Sequence, residues 1–438
     1  MVVTGRLATI AAVAAVIIMV LLPSWVGVLA MTALLVLLLL IDASSSARGA
    51  DLELERAELT TVRVGHEASV ELVVTNRGRR TVRGMLWDDW PDSVRASRRG
   101  HRLGLAPNTR TRLVTTLTPA GRGDRVAGPV TIRLLGPLGL AGRQVRKQVP
   151  ARVRALPAFR SERILASKVR QVQQLEGRNV VNIRGQGTEF DSFREYVAGD
   201  DVRSIDWRAT ARASDVLVRT WRPERNRHVL LLLDTGRYSA GLVGGGASGS
   251  AEATRLETSI EAALLLGGLA AAAGDTVALL AYDRQVRAEV RTSAGQGLQP
   301  KLMHALAGIV PALVDTDTEA MIRAAVQRAR RRSLVVWFTG LDGAMVEENL
   351  LPVLPVLARR HRVLLVSVTD PDIATAATHR TTTPEIYTAA AAENLLAERA
   401  LVQESLRRKG IDVVATSPTH LPEALADEYL ELKKSGAL

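Results

Sequence analysis

Residues His228–Asp234 read HVLLLLD, an apolar run of strand length that closes on a single acid. Such a run has no polar face to offer water, so it reads as a buried strand with helices above and below it. The chain beyond keeps the same rhythm. An Ala/Leu helix over Arg255–Ala273 leads to a strand at Asp275–Tyr282, and Val286–Thr292 reads as an antiparallel edge strand. Helices at Leu298–Ala307 and Asp317–Arg331, a strand at Leu334–Phe338, a helix at Val346–His361 and a strand at Val363–Val368 follow. A long helix over Pro384–Lys409, a strand at Ile411–Ala415 and a helix at Pro422–Lys434 complete the series. This alternation predicts an α/β doubly wound parallel sheet over residues 226–438, with any site at the carboxyl edge of its strands.

Just upstream, Gly185–Arg212 read GQGTEFDSFREYVAGDDVRSIDWRATAR. Here Asp200, Asp201 and Asp206 stand among Arg194, Arg203, Arg208 and Arg212, with Trp207 in their midst. Charges this dense and this nearly balanced belong to a compact surface structure cross-linked by Arg–carboxylate pairs. Interleaved guanidiniums favour ion pairing over a carboxylate metal or acid–base cluster. Trp207 is the expected apolar anchor, and Asp200, Asp201, Arg203 and Asp206 the expected ion-pair network.

The pattern G-x-G-x-E-F, R-E-Y-x-x-G-D-D-x-R-x-I-D-W-R-A-x-A-R, then Glu224-Arg225 and an apolar strand ending in Asp resembles one family closely. It is similar to the domain of unknown function 58 (DUF58) family. Members of that family carry a von Willebrand A-like domain and are usually encoded beside MoxR-type AAA+ ATPases. The resemblance is specific over Gly185–Asp234 and weaker but collinear elsewhere. It implies a membrane-anchored interaction module that partners a MoxR-type ATPase in the assembly or maturation of complexes. The signature residues Glu189, Arg194, Glu195, Tyr196, Gly199, Asp200, Asp201, Arg203, Asp206, Trp207, Arg208 and Arg212 would then brace the domain junction and offer the docking face.

The resemblance also implies a metal-ion-dependent adhesion site, built from D-x-S-x-S after the first strand, a later Thr and a later Asp around Mg²⁺. Asp234 is in place, but Gly236 and Tyr238 stand at the serine positions, and Arg237 adds a competing cation. Thr316 or Thr318 would supply the later hydroxyl. Gly340 holds the expected Asp position, with Asp342 two residues on. Thr235, Ser239 and Asp342 would have to substitute from shifted positions, so the candidate set is Asp234, Ser239, Thr316 and Asp342. The other reading is that Asp234 caps the following loop or pairs with Arg237.

Other chemistries find no support. Gly244–Gly249 spells G-x-G-x-x-G, but about ten residues separate it from Asp234, and the next strand-end acid, Asp283, is too distant for a dinucleotide fold; it reads as a surface loop. There is no Walker A loop, H-E-x-x-H or G-x-S-x-G, and the seven histidines are scattered, so no enzyme is expected. With no cysteine, disulfides and thiolate sites are excluded. The net charge of +12 comes almost wholly from Arg, only six basic residues being Lys, and no basic stripe with stacking aromatics marks nucleic-acid binding. Contact with an anionic leaflet is compatible with that charge.

Residues 51–150 change character. Ala68–Thr75, Arg110–Thr118 and Val130–Leu135 are short strands separated by turn residues, which predicts an antiparallel β-sandwich of immunoglobulin-like kind. Arg122-Gly123-Asp124 reads as a turn between strands rather than an adhesive tripeptide, and Pro137–Leu140 resembles the end of the family's equivalent domain. Residues 151–225, helical near Glu162–Leu175, connect this domain to the next and carry the charged signature.

Residues Leu7–Ile41 are almost continuously apolar around Pro23-Ser24-Trp25. One unbroken helix would run to roughly 50 Å, too long for a bilayer core of about 30 Å. A break there gives a two-helix transmembrane anchor within residues 1–45, with spans near Leu7–Leu22 and Val26–Ile41; the run is too long for a signal peptide. Arg6, Arg48 and Arg56 flank it on one side, which places both ends and the later domains in the cytoplasm. Besides the ATPase-partner reading, a metal-dependent adhesion module, a membrane-bound envelope scaffold and, last, a hydrolase remain as alternatives.

Overall fold

The computed structural model describes residues 2–21, 24–182, 189–213, 215–222, 227–244, 252–293, 295, 297–329 and 331–436. These divide into two compact units, Met1–Ala158 and Phe159–Leu438.

The first unit opens with two apolar helices, Gly5–Leu21 and Trp25–Ser45. Ser24 caps the second by accepting the Gly27 amide at 3.2 Å. That helix is long and apolar enough to cross a membrane, with a mean hydropathy of 2.6 over an 18-residue window, whereas the first is shorter. It also runs past its expected end at Ile41, because Asp42 has a use there. The carboxylate of Asp42 accepts the amides of Leu138 and Leu140, both at 2.7 Å, and of Ala141 at 2.9 Å. The start of the first helix reaches the same loop. Thr4 donates its hydroxyl to the Gly139 carbonyl at 2.6 Å, and Val2–Val3 pair with Gly142 and Ala141.

Behind that loop lie three sheets. One is five-stranded, in the order Val2–Val3, Ala141–Lys147, Val130–Leu135, Val82–Asp88, Gly100–Leu105. A three-stranded sheet, Leu52–Arg56, Ala68–Asn76 and Arg110–Leu117, shares a core with it through Leu72, Val74, Leu86, Ile132 and Leu134. The alternation in Ala68–Asn76 is the pleat itself, with Val70, Leu72 and Val74 turned inward. The third sheet departs from a purely antiparallel plan, since Leu59–Arg63 pairs in parallel with Arg152–Leu156. These strands come from opposite ends of the domain, so the whole β-unit serves as their crossover. Arg122-Gly123-Asp124 is not a free turn. Gly123–Val126 is a strand of that sheet, and Asp124 takes the Arg154 guanidinium at 2.7 and 2.8 Å.

Arg56 is not at the helix flank but buried in this unit. It pairs with Asp88 at 2.7 Å and lies over the Trp90 ring, while Trp90 Nε1 and Thr115 also donate to Asp88.

The second unit is built on a six-stranded sheet in the order Val286–Ser293, Thr276–Tyr282, His228–Asp234, Ser333–Phe338, Arg362–Val368, Asp412–Thr416. Every pair is parallel except the edge strand Val286–Ser293. Helices cover both faces. Arg255–Ala272 packs on one, where a β-carbon at Gly267 would meet Leu302 of the Leu298–Ala307 helix at 2.7 Å and Leu231 of the sheet at 3.6 Å. On the other, Leu230, Leu232, Val335, Trp337 and Leu365 join Met321, Ile322, Leu350, Leu357 and Leu406 in one core.

Two stretches differ from expectation. The single helix expected over 346–361 is broken into a π turn at Val346–Leu350 and a short helix at Leu354–Ala358, because Pro352 and Pro355 each remove an amide donor. An unexpected helix, Pro371–Thr378, begins where Asp370 caps it through the Asp372 amide. At the opposite edge of the sheet, the final helix Leu421–Lys434 is tied to buried Asp275 by Tyr429 and Lys433.

Candidate functional site

Asp234 ends its strand almost fully buried, 4% exposed. Its Oδ1 accepts the Gly236 amide at 2.8 Å and the Thr316 hydroxyl at 2.5 Å, and its Oδ2 accepts the Thr339 hydroxyl at 3.0 Å. Thr316 comes from the segment before the Thr318–Arg328 helix, and Thr339 from the end of the neighbouring strand. The next strand of this sheet in sequence, Thr276–Tyr282, pairs on one side of His228–Asp234, and Ser333–Phe338 pairs on the other. Asp234 therefore lies where the strand order reverses, the position at which open α/β sheets form crevices. Burial raises its pKa; the hydrogen bonds from Thr316, Gly236 and Thr339 oppose that rise, and the charge of Asp283 adds to it.

The other expected metal ligands are dispersed. Ser239 donates to the Gly236 carbonyl at 2.7 Å, and Thr235 donates to Asp283 at 3.4 Å. Thr318 points its hydroxyl to the Thr316 carbonyl. Asp342 takes the Arg399 guanidinium at 3.0 Å and makes no hydrogen bond to the Asp234 cluster. Arg237 pairs with Asp315 at 2.7 Å, not with Asp234, and lies over the Tyr238 ring. Loop capping by Asp234, through Gly236, is the arrangement present.

This donor set does not fit Mg²⁺. Near-octahedral oxygen coordination needs several carboxylate or hydroxyl ligands turned to one point. Here one carboxylate and two threonine hydroxyls converge, and they bond to one another. The neighbouring acid, Asp283, is engaged by Arg287 at 2.5 Å. Among the described residues no group of three or more acidic or histidine side chains is placed to share an ion.

The charged signature forms a hairpin. Glu189–Glu195 pairs antiparallel with Leu217–Arg222, and the connection folds back onto the second strand. Arg194 clamps Asp200 at 2.7 and 2.5 Å, and Asp200 also accepts the Val197 amide. Gly199 takes a φ of +112°, a region open to glycine, as the chain turns into this clamp. Asp201 caps a 3-10 turn through the Arg203 amide at 2.9 Å. Asp206 caps the turn Trp207–Thr210 through the amides of Arg208 and Ala209, and it is paired with Arg219. Hydrogen bonds from Arg194 and Val197 hold the Asp200 pKa down, and the Ala209 amide, then Arg219, lower that of Asp206.

Arg194–Asp200 and Arg219–Asp206 form ion pairs, whereas Asp201 and the Arg203 amide meet in a cap, so the expected network of Asp200, Asp201, Arg203 and Asp206 is not the arrangement present. Trp207 is not an interior anchor: it is 66% exposed, and Val197 and Val202 of the same hairpin connection are exposed as well. Arg203, Arg208 and Arg212 are exposed in the same connection. Tyr196 hydrogen-bonds through its backbone to Val216, and Glu195 pairs in register with Leu217. Residues 185–188, Glu224-Arg225 and most of Gly244–Gly249 lie outside the described residues. Sequence reasoning missed Thr339, Asp315 and Arg219. Thr339 could have been found by asking which hydroxyl follows the strand beside His228–Asp234.

Residues 192–376 match the family model described as "Protein of unknown function DUF58". Over this segment the chain is similar to that family. It contains most of the hairpin and the Asp234 cluster and ends within the Pro371–Thr378 helix. Uncharacterized proteins of Mycobacterium bovis and Mycobacterium tuberculosis are 29% identical to the chain over 199 residues, 45% of this chain and 60% of theirs. The match therefore spans about 60% of the length of these relatives. Among solved structures, a family 123 glycoside hydrolase from Clostridium perfringens matches 24% of this chain and 27% of its own at 8% identity and a TM-score of 0.16. A GH20 exo beta-N-acetylglucosaminidase from Vibrio harveyi matches 83% of this chain and 75% of its own at 10% identity and a TM-score of 0.19. Likeness at that level carries no argument.

Proposed function

We propose that the protein is a membrane-anchored interaction module, with the DUF58 hairpin as its docking face. The observation that carries this reading is the exposure of Trp207, Val197 and Val202 on a hairpin whose carboxylates Asp200 and Asp206 are already paired internally. A rigid frame that leaves a tryptophan and three arginines outside has the composition of a binding hot spot. Arg203, Arg208 and Arg212 suit an acidic partner surface. By resemblance, that partner is a MoxR-type AAA+ ATPase, and the six-stranded unit is von Willebrand A-like with an adhesion site that has lost its metal.

In the same reading the two apolar helices form a transmembrane hairpin with the later units in the cytoplasm. Support comes from Thr4 and Asp42, which bring the outer ends of both helices to the loop at 138–141.

The test is co-purification of the full-length protein from its native membranes in mild detergent, with mass spectrometry of what accompanies it. Wild type, Trp207→Ala and the Asp200→Ala/Asp201→Ala double variant are compared. Recovery of an AAA+ ATPase with wild type and its loss with Trp207→Ala is the expected result. Equal recovery from all three removes the hairpin as the docking face, and recovery of no ATPase sinks the partner assignment.

A further inference from the structure

At the edge of the six-stranded sheet opposite Asp234, a cleft of 510 Å³ is lined by Val326, Ala329, Arg331, Arg332, Arg360 and His361. It lies between the chain leading into strand Ser333–Phe338 and the chain leading into strand Arg362–Val368. Four of the six lining residues carry basic groups and none is acidic. His361 is 5% exposed, yet among the described residues neither of its ring nitrogens has a hydrogen-bond partner. A buried imidazole left unsatisfied on both sides is costly unless something else supplies the partner. Arg332 and Arg360 are exposed and form no ion pair among the described residues, although other arginines of this unit, such as Arg328, Arg362 and Arg399, are paired with carboxylates.

We infer that this cleft binds a phosphate group, with Arg332 and Arg360 as the charged arms and His361 as the buried hydrogen-bonding base. The chemistry is that of planar guanidiniums, which match phosphate oxygens two at a time, backed by a neutral donor that needs a partner. Burial and then the charge of Arg360 hold the imidazole below its ordinary pKa, which favours the neutral ring with its single N–H in the free protein. An adjoining hollow lined by His228, Thr276, Arg328 and Ser333 shares Ala329 and Arg331 with the cleft and gives room for the rest of a phosphate ester. The same head chemistry occurs on soluble phosphate esters and on phosphatidate-type lipids. The site is independent of the hairpin and of Asp234.

The experiment is calorimetric titration of the full chain in detergent micelles with inorganic phosphate, at ionic strength held constant with chloride. R332Q, R360Q, the double variant and H361Q run in parallel, and melting in chloride checks that each is folded. The expected result is saturable phosphate binding that the exposed double variant weakens about tenfold or more, the loss of strong guanidinium–phosphate contacts. H361Q, which keeps a donor but not the ring geometry, is expected to weaken it too. Phosphatidylcholine vesicles with and without phosphatidate then separate the sources in samples that bind phosphate. Phosphatidate-dependent binding that soluble phosphate displaces assigns a lipid headgroup, and its absence assigns a soluble ester. No saturable phosphate response in wild type, or the same response in the double variant (an adventitious ion only), overturns the proposal.

Discussion

A β-carbon on Gly236 would fall 2.2 Å from the hydroxyl of Thr316. The place where an adhesion-site serine would project is already taken by Thr316, which bonds to Asp234 instead. Gly236→Ser should therefore destabilise the unit by about 1–3 kcal/mol through overpacking and create no metal site. Chemical denaturation of Gly236→Ser, alone and with Thr316→Ala, checks this: the second change should recover part of the loss. A saturable Mg²⁺ stabilisation appearing in Gly236→Ser would show that the site was one side chain short of an ion.

Asp234 gives a pH signature opposite in sign to that of the hairpin acids. Its folded pKa lies above the ordinary 3.8, so its contribution is full below that value and is lost as pH rises through the raised one. Asp206 has a lowered folded pKa, and its contribution is present above 3.8 and lost as pH falls. Stability measured from pH 3 to 8 should therefore fall less with rising pH in Asp234→Asn than in wild type, while Asp206→Asn should lose stability gained above pH 4. Identical pH profiles for the two variants would contradict the assignment.

Trp207 and Asp206 are neighbours with contrasting fates. Replacing exposed Trp207 by Ala should move stability by no more than about 0.5 kcal/mol. Asp206→Ala removes the acceptor for the amides of Arg208 and Ala209, and hydrogen exchange at those two positions should accelerate. Unchanged exchange there would mean the cap is not formed in solution.

Within the β-unit, Asp88 is the acceptor for Arg56, Trp90 and Thr115 at once. Asp88→Ala leaves a buried guanidinium unpaired and should cost about 3–5 kcal/mol. Thermal melts of Asp88→Ala against the Arg56→Met/Asp88→Ala double variant provide the measurement. The double variant should be the more stable, and if it is not, the pair is less desolvated than its geometry implies.

Much of this architecture was legible because burial writes itself into pattern. HVLLLLD has one possible use, and the strands and helices after it fall within a few residues of their expected limits. The break at Pro352 and Pro355 was visible in principle, but the apolar periodicity around it masked the two missing donors. The site was harder to read. That Asp234 caps its loop follows from its neighbours, whereas Thr339 and Thr316 reach it only because two separate segments end at the same sheet edge. Trp207 misled because size and apolarity argue for burial, and nothing local records that its turn faces outward.

The clasp between Asp42 and the 138–141 amides has a consequence for biogenesis. On the ribosome, both apolar helices are synthesised long before the loop that holds their ends exists. Through that interval Asp42 has none of those partners, and Thr4 lacks the carbonyl it later binds. The β-unit can therefore close the helix ends only once it has been made, whatever place the helices have taken by then. Nascent chains stalled before Leu138 should thus present a helix pair whose polar ends are still open, and chains stalled well beyond Ala141 one in which they are closed.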